Sequence, residues 1–195
     1  MADEDEERRR QRVGPDRGLR LRWAVVPVLF AAMGYAVLPL QSWDDWWHNT
    51  VGRMIAATGE IPSGAMFLYT MEADAPSIIQ PWLSQWLLFT IHDTFGLRAN
   101  LCLRGLVIAG SFGAATWLAT RESDNAMVTG LFGVAGLVVA FPFLDVRTNL
   151  FVLPLFVATV AIARGVRASR ITVHALWGVP VVAALWANLH GSFLL

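Results

Sequence analysis

The run LRWAVVPVLFAAMGYAVLPL, residues 21–40, is followed almost at once by SWDDWWHN, residues 42–49. The first stretch has about the 20 apolar residues that a helix needs to cross a bilayer. The second places two carboxylates and a histidine among three tryptophans, just beyond the end of that run. Together they predict a membrane-spanning helix with a polar site at its edge.

The composition of the whole chain supports this interpretation. Its mean hydropathy is +0.50, and only 15% of its 195 residues are charged. Further apolar runs lie at 82–95, 99–120, 126–144, 149–163 and 172–195. We therefore expect an all-α fold, a polytopic transmembrane helical bundle. The lone cysteine, Cys102, excludes an intramolecular disulfide and a cysteine zinc site.

The segment from residue 42 onward is expected to form an amphipathic helix that ends at Gly59. At 100° per residue its tryptophans share one face, and the other face carries Asp44, Asp45, His48 and Asn49. Such a helix would lie flat on the bilayer, with its indoles in the headgroup layer and its acids turned to water. We predict a juxtamembrane helix within a first extracytoplasmic loop, residues 41–81.

The arginines predict the orientation. Seven of the fifteen lie in the first 22 residues, and three more lie at 164–170. Because basic segments favour the cytoplasmic side, the charged tail 1–20 and the loop 164–170 should both be cytoplasmic. An even number of crossings must then separate them. Four crossings result if the segment 82–95, about 21 Å long as a helix, does not cross the membrane. If that segment does cross, the count is five and the basic loop lies outside.

This topology describes a multi-pass membrane protein with a cytoplasmic N-terminus. A transmembrane domain at 21–195 follows the tail, and its polar residues converge on the extracytoplasmic side. Asp44 and Asp45 are the first candidates for chemistry there, because a carboxylate near lipid has its pKa raised towards values useful in a general base. Two solvated acids are the equally weighted alternative. His48 is close enough to share a cation with them, but a surface histidine is favoured.

Two further polar clusters lie near the membrane edge. In FLDVRTNLF, residues 143–151, the Arg147 guanidinium could bind a phosphate, although a pair with Asp145 in a tight turn is slightly favoured. Asn188 and His190 lie in the last apolar run and need partners or a water-filled cavity, so function is favoured over helix–helix hydrogen bonding. A hydrolase pair of His190 with Ser192 is not expected, because residues two apart on a helix face away from each other.

These residues together resemble a group of large bacterial membrane proteins related to the GT-C glycosyltransferases, a superfamily that includes protein O-mannosyltransferases and lipid A aminoarabinose transferases. The matching residues, in order along the chain, are Asp44, Trp46, Trp47, His48, Gly59, Pro62, Phe67, Tyr69, Thr70, Trp82, Leu83, Ser84, Arg147, Leu150, Phe151, Trp186 to Gly191, and Phe193. The departures are Ser42 in place of an aspartate, Asp45 in place of an apolar residue, Gln85 in place of a glutamate, and Thr148-Asn149 in place of Pro-Gln.

The resemblance implies a protein of the bacterial inner membrane that transfers a sugar from a polyprenyl-phosphate donor to an extracytoplasmic acceptor. Asp44 would be the base that activates the acceptor, and Arg147 with Arg53 would stabilise the departing phosphate. The full set of expected site residues is Asp44 and Asp45 as catalytic residues, with His48, Arg53, Arg147, Asn188 and His190 as substrate-binding residues. No metal ligands are assigned, and the cofactor is left open, with a divalent cation as the candidate.

The expected partners are the lipid bilayer and the polyprenyl-phosphate sugar, with no nucleic acid. The sequence stops within an apolar run, whereas members of the group are far longer. We therefore expect either the N-terminal part of a larger protein or a truncated one, with further spans supplied by the missing C-terminal part or by a partner subunit. Two alternatives stay open: a non-catalytic scaffold or assembly partner, and a transporter of a lipid-linked glycan whose path Asn188 and His190 would line.

Overall fold

A computed structural model of the chain describes residues 16–40, 42–63, 70, 72, 75, 81–123 and 125–194. This part of the chain is all-helical, as predicted, and contains seven α-helices. They are α1 (Asp16–Met33), α2 (Asp44–Thr58), α3 (Trp82–Phe95), α4 (Leu97–Thr120), α5 (Ala126–Ala140), α6 (Val152–Arg167) and α7 (Gly178–Leu189). Short 3-10 turns follow α1 and α5 and precede α6 and α7.

The helix bounds agree with the sequence in the middle of the chain and differ at its ends. The predicted end of α2 at Gly59 is confirmed, because this glycine takes the left-handed backbone, with φ of 72°. At the N-terminus, α1 begins at Asp16, inside the predicted tail 1–20, and residues 1–15 lie outside the described part. The last apolar run forms a 3-10 turn, the 12-residue helix α7 and a second 3-10 turn, and α7 ends at Leu189 because His190 has extended backbone.

Within the described residues, three helical segments are long and apolar enough to cross a membrane: Leu97–Thr120, Ala126–Phe143 and Thr148–Arg167. Two shorter apolar helices are Trp23–Ala36, within the run predicted to span at 21–40, and Val173–Leu189. Much of the apolar surface of the long segments is uncovered, since only 17% of the second and 6% of the third are buried within the protein. Solvent-exposed apolar surface of this extent marks contact with lipid or with other proteins.

The core lies where α1 packs against α4 and α5. Close approach between these helices depends on small residues. A Cβ atom added to Gly105 of α4 would lie 2.5 Å from the Cβ of Ala36, just beyond α1. Large side chains then fill the space between the helices, including Tyr35, Ile108, Leu137, Leu144 and Leu150. Glycine contacts of this kind let helix backbones meet closely.

The helices α2 and α3 form a second closely packed pair. A Cβ atom on Gly52 would lie 2.2 Å from the backbone oxygen of Gln85, so only glycine fits there. The face of α2 that meets α3 includes Asp45, His48 and Ile55, all buried. The prediction that both acids of α2 turn to water is therefore wrong for Asp45, because the polar face of this helix packs into the protein. Trp43 and Trp46 are exposed.

The polar residues of interest gather at one end of the helices. Ser84, at the start of α3, donates a hydrogen bond of 2.7 Å to the carbonyl of Leu189, at the end of α7. At the other end, Arg164 of α6 forms an ion pair of 3.1 Å with Glu122, in the connection between α4 and α5. The predicted loop 41–81 is described mainly through α2, and Phe67 and Tyr69 lie outside the described residues.

Candidate functional site

The support of the site is Arg104, a fully buried arginine on α4. Its guanidinium pairs with the Asp145 carboxylate at 2.7 Å. It also donates to the backbone carbonyls of Tyr35 and Leu38, in the connection between α1 and α2. A buried charge is stable only when it is paired and hydrogen-bonded in this way. Arg104 was not among the residues predicted from the sequence, although an arginine inside an apolar run by itself indicates a buried charge that needs a partner.

Asp145 connects the buried Arg104 to the segment just before α2. One of its carboxylate oxygens accepts from the Arg104 guanidinium and, at 2.8 Å, from the Val146 backbone nitrogen. The other accepts at 2.7 Å from the backbone nitrogen of Ser42. A single buried carboxylate therefore holds the chain just before α2 against the connection between α5 and α6.

Ser42 is also the point where Arg147 and Asp44 meet. Its hydroxyl oxygen accepts from the Nε of Arg147 at 2.8 Å and from the Asp44 backbone nitrogen at 3.1 Å. The Nη2 atom of Arg147 then lies 2.5 Å from an Asp44 carboxylate oxygen. The sequence favoured an ion pair between Asp145 and Arg147 within the turn, and this prediction is wrong. Asp145 pairs with Arg104 and Arg147 pairs with Asp44, so both ion pairs join residues that are far apart in the chain.

Asp44 and Arg147 are the accessible members of this network. Their side chains are 53% and 35% exposed. Asp45 is only 3% exposed and receives a hydrogen bond of 3.0 Å from Asn49. Burial raises the pKa of the Asp45 carboxyl, an effect that His92 and the Asn49 hydrogen bond partly offset. The two neighbouring acids therefore differ in environment, and Asp44 is the one that a substrate can reach.

His48 is buried beside this network, contrary to the surface position favoured from sequence. Its Nδ1 atom lies 3.3 Å from the side-chain nitrogen of Gln85. Burial lowers the pKa of His48 to about 4; nearby Asp44 opposes this effect, and Arg147 and His190 reinforce it. The imidazole is therefore neutral at pH 7. Among the described residues, no group of three or more His, Cys, Asp or Glu side chains could hold a metal ion.

Arg53 is exposed on α2. It lies nine residues beyond Asp44, which at 100° per residue places it on the opposite side of the helix. Asn188 has two partners: it accepts a hydrogen bond of 2.8 Å from the Trp82 indole and donates one of 2.8 Å to the Ala184 carbonyl. These contacts fasten the end of α7 to the start of α3. The structure thus brings together Asp44 and Arg147, with His48 one helical turn beyond Asp44 on α2.

His190 adopts a geometry that was not expected from the sequence. Its Nδ1 atom lies 2.9 Å from the Ser192 hydroxyl oxygen and accepts from the Ser192 backbone nitrogen at 3.1 Å. The prediction that these side chains face away from each other is wrong, because helix α7 ends at Leu189 and His190 has extended backbone. The Ser192 hydroxyl also accepts from the Trp186 indole at 3.1 Å, so this contact closes a local turn.

A separate apolar groove of about 400 Å³ lies between α4 and α6. Ser111 contributes its one hydroxyl, and the other walls are apolar, including Leu106, Trp117 and Pro154. Neither Asn188 nor His190 belongs to its lining. The groove therefore offers no support for the polar transport path in which these two residues were expected.

The site as a whole is one accessible carboxylate held against one half-buried guanidinium, with a neutral buried imidazole beside them. The two charged side chains differ in what they can do: the carboxylate can accept a proton, and the guanidinium can bind an anion bidentately. Comparison of the chain with protein-family models, with curated proteins and with solved structures gives no match. Its function is therefore inferred from this geometry and from the sequence resemblance.

Proposed function

We propose that the protein is a membrane-embedded glycosyltransferase that moves a sugar from a polyprenyl-phosphate donor to an extracytoplasmic acceptor. The observation that carries the proposal is the 2.5 Å contact between Asp44 and Arg147, at the end of the apolar helices. A base for the acceptor and a cation for the departing phosphate are the two groups that this transfer needs. The resemblance to the GT-C group implies the base role for Asp44 and the phosphate-binding role for Arg147, there together with Arg53.

The membrane setting is supported by the exposed apolar surfaces. The three long apolar helices would cross the bilayer, with their uncovered sides facing lipid or further spans. Trp43, just before α2, and Trp46, on α2, are 85% and 70% exposed and would lie in the headgroup layer. The arginine-rich end of the helices, which contains Arg164, would be cytoplasmic. This orientation, with a cytoplasmic N-terminus in a bacterial inner membrane, puts Asp44 on the opposite side.

The transfer would break the bond between the anomeric carbon of the sugar and the phosphate oxygen. Both electrons of that bond leave with the polyprenyl phosphate, whose added negative charge Arg147 would stabilise. The acceptor hydroxyl oxygen forms the new bond to the anomeric carbon and gives its proton to the Asp44 carboxylate. Asp45 would take no direct part, because it is buried, and neither would Arg53, because it points away from the pair.

The ion pair also indicates the order of events. As long as Arg147 is paired with Asp44, neither group is fully available. A phosphate that binds the guanidinium would compete with the carboxylate and release it for the acceptor. Both side chains are partly exposed, so the exchange needs no rearrangement of the buried Arg104–Asp145 support.

Lipid binding tests the proposal whichever sugar the donor carries. The protein in nanodiscs is titrated with a polyprenyl phosphate and, separately, with the matching polyprenol, and complexes are counted by native mass spectrometry. We expect the phosphate lipid to bind at least tenfold more tightly than the alcohol, and Arg147→Gln to remove that preference. Arg164→Gln, which breaks an exposed ion pair at the other end, is the matched control and should leave the preference intact. Equal binding of both lipids, or of neither, would instead favour the non-catalytic scaffold.

A further inference from the structure

The contact between His48 and Gln85 joins two buried side chains. Gln85 is 1% exposed on α3, and His48 is 8% exposed on α2. Their position is fixed by the packing of the two helices, since the backbone of Gln85 lies directly against Gly52, one helical turn beyond His48. This packing keeps the two side chains on facing sides of α2 and α3.

The chemistry of this contact determines where the imidazole carries its proton. A glutamine side-chain nitrogen can only donate hydrogen bonds, and a neutral imidazole has one donor nitrogen and one acceptor nitrogen. With the Gln85 amide turned so that its nitrogen faces Nδ1 of His48 at 3.3 Å and its buried oxygen has no partner among the described residues, Nδ1 is the acceptor. This arrangement puts the hydrogen on Nε2.

His48 lies one helical turn beyond Asp44 on α2, and Asp44 pairs with Arg147 at 2.5 Å, so the ring is next to the proposed active site. The titratable and charged groups that act on His48 are Asp44, Arg147 and His190. The Nε2–H group of His48 and the Arg147 guanidinium would therefore both be available as hydrogen-bond donors to a bound anion or sugar hydroxyl. Burial of the ring keeps it uncharged, so it would donate a hydrogen bond without supplying a proton.

We propose that Gln85 is a positioning residue that fixes His48 as the neutral Nε2–H tautomer, so that His48 donates a hydrogen bond to the oxygens of the lipid-linked substrate beside Arg147. This inference deepens the proposed function and rests on it for the identity of the ligand. The tautomer itself is a property of the protein alone. It is therefore measured separately from lipid binding.

Nitrogen-15 NMR of histidine-labelled protein in detergent micelles tests the tautomer. The chain contains four histidines, and the spectrum of His48→Gln identifies the signals of residue 48. We expect wild-type His48 to show a protonated Nε2 and an unprotonated Nδ1 at pH 7. A protonated Nδ1, a mixture of tautomers or a doubly protonated ring would overturn the proposal.

Substitution of Gln85 tests the cause. In Gln85→Glu the new carboxylate can only accept, so the hydrogen should move to Nδ1 or the ring should become doubly protonated. In Gln85→Met no donor is present, and both tautomers should appear. Thr94→Glu, which adds a carboxylate at an exposed position of the same helix, should leave the His48 signals unchanged. Wild-type tautomer signals in both Gln85 variants would contradict the positioning role.

Addition of polyprenyl phosphate then separates the two proposals. We expect the lipid to shift the Nε2 signal of His48 in the wild type, and Gln85→Glu to bind the lipid up to about tenfold more weakly, as for a lost hydrogen bond. A correct tautomer with no binding of the lipid would reject the proposed function and the donor role that rests on it, and would leave the positioning role of Gln85 standing. Lipid binding that leaves the Nε2 signal unmoved would reject the donor role of His48 and leave the function standing.

Discussion

The guanidinium of Arg147 lies 2.5 Å from the carboxylate of Asp44, although α3, α4 and α5 separate the two residues in the chain. Ser42 holds both of them through its hydroxyl, and Asp145 holds Ser42 through its backbone nitrogen. The exposed Asp44–Arg147 pair is thus held in place through the buried Arg104–Asp145 pair. Substitutions in the two pairs should therefore have different consequences.

Arg147→Gln should expose the Asp44 carboxylate to chemical modification. Without the guanidinium, Asp44 should react several times faster with a water-soluble carbodiimide and an amine, as followed by peptide mass spectrometry. Thermal stability should change little, since exposed ion pairs contribute about 0–1 kcal/mol. Arg164→Gln is the control, because it should accelerate modification of Glu122 and leave Asp44 as it was. An unchanged Asp44 rate in Arg147→Gln would show that the pair does not persist in solution.

Loss of one partner of the buried pair should be far more damaging. Asp145→Leu leaves the Arg104 charge without its carboxylate and frees the backbone of Ser42, so we expect a loss of about 3–5 kcal/mol. The double variant Arg104→Met/Asp145→Leu should recover part of this loss, because no buried charge is then uncompensated. Melting temperatures in detergent measure both effects. A double variant that is less stable than Asp145→Leu alone would contradict the assignment.

Gly52→Ala should separate α2 from α3. The added methyl group would lie 2.2 Å from the Gln85 backbone oxygen, a distance that only a backbone shift can relieve. We expect a clear drop in melting temperature and greater accessibility of His48. Gly110→Ala is the matched control in α4, where an added Cβ has no neighbour within 4 Å. That variant should be neutral or more stable by about 0.5–1 kcal/mol, as usual for alanine in a helix. Equal effects in the two variants would refute the close contact.

Acid should destabilise the protein through His48. Its pKa of about 4 in the folded state lies below the usual 6.5. Between these two pH values the unfolded chain binds more protons, so the stability present above pH 6.5 is lost as the pH falls towards 4. The loss from this group is up to about 3 kcal/mol. Asp45 acts in the opposite sense, because its raised pKa favours the protonated folded state as the pH falls. Melting temperatures of wild type and His48→Gln across this range separate the two effects, and parallel curves would contradict the burial of a neutral His48.

The sequence predicted the helical fold and several of its helix bounds because apolar runs and glycine positions are local signals. It also selected Asp44 and Arg147 separately, as unusual polar residues beside apolar runs. Their pairing could not be predicted, since it depends on Ser42 being held by Asp145, far along the chain. The same holds for the burial of Asp45 and His48. Helical periodicity divides a helix into two faces but does not say which face meets a neighbour. Here the face with Asp45 and His48 is buried because Gly52, on the same face, packs against α3.

The most direct measurement of the central claim is the consumption of lipid-linked sugars by the full protein in its native membranes, which supply the acceptor. Polyprenyl-phosphate mannose, glucose and aminoarabinose are each supplied, and conversion to polyprenyl phosphate is followed by mass spectrometry for wild type, Asp44→Asn and Asp93→Asn. We expect one donor to be consumed, about 100-fold or more slowly in Asp44→Asn and at the wild-type rate in Asp93→Asn, which changes an exposed acid of α3. Consumption at the wild-type rate in Asp44→Asn, or of no donor by any variant, would contradict the assignment of Asp44 as the base of a glycosyl transfer.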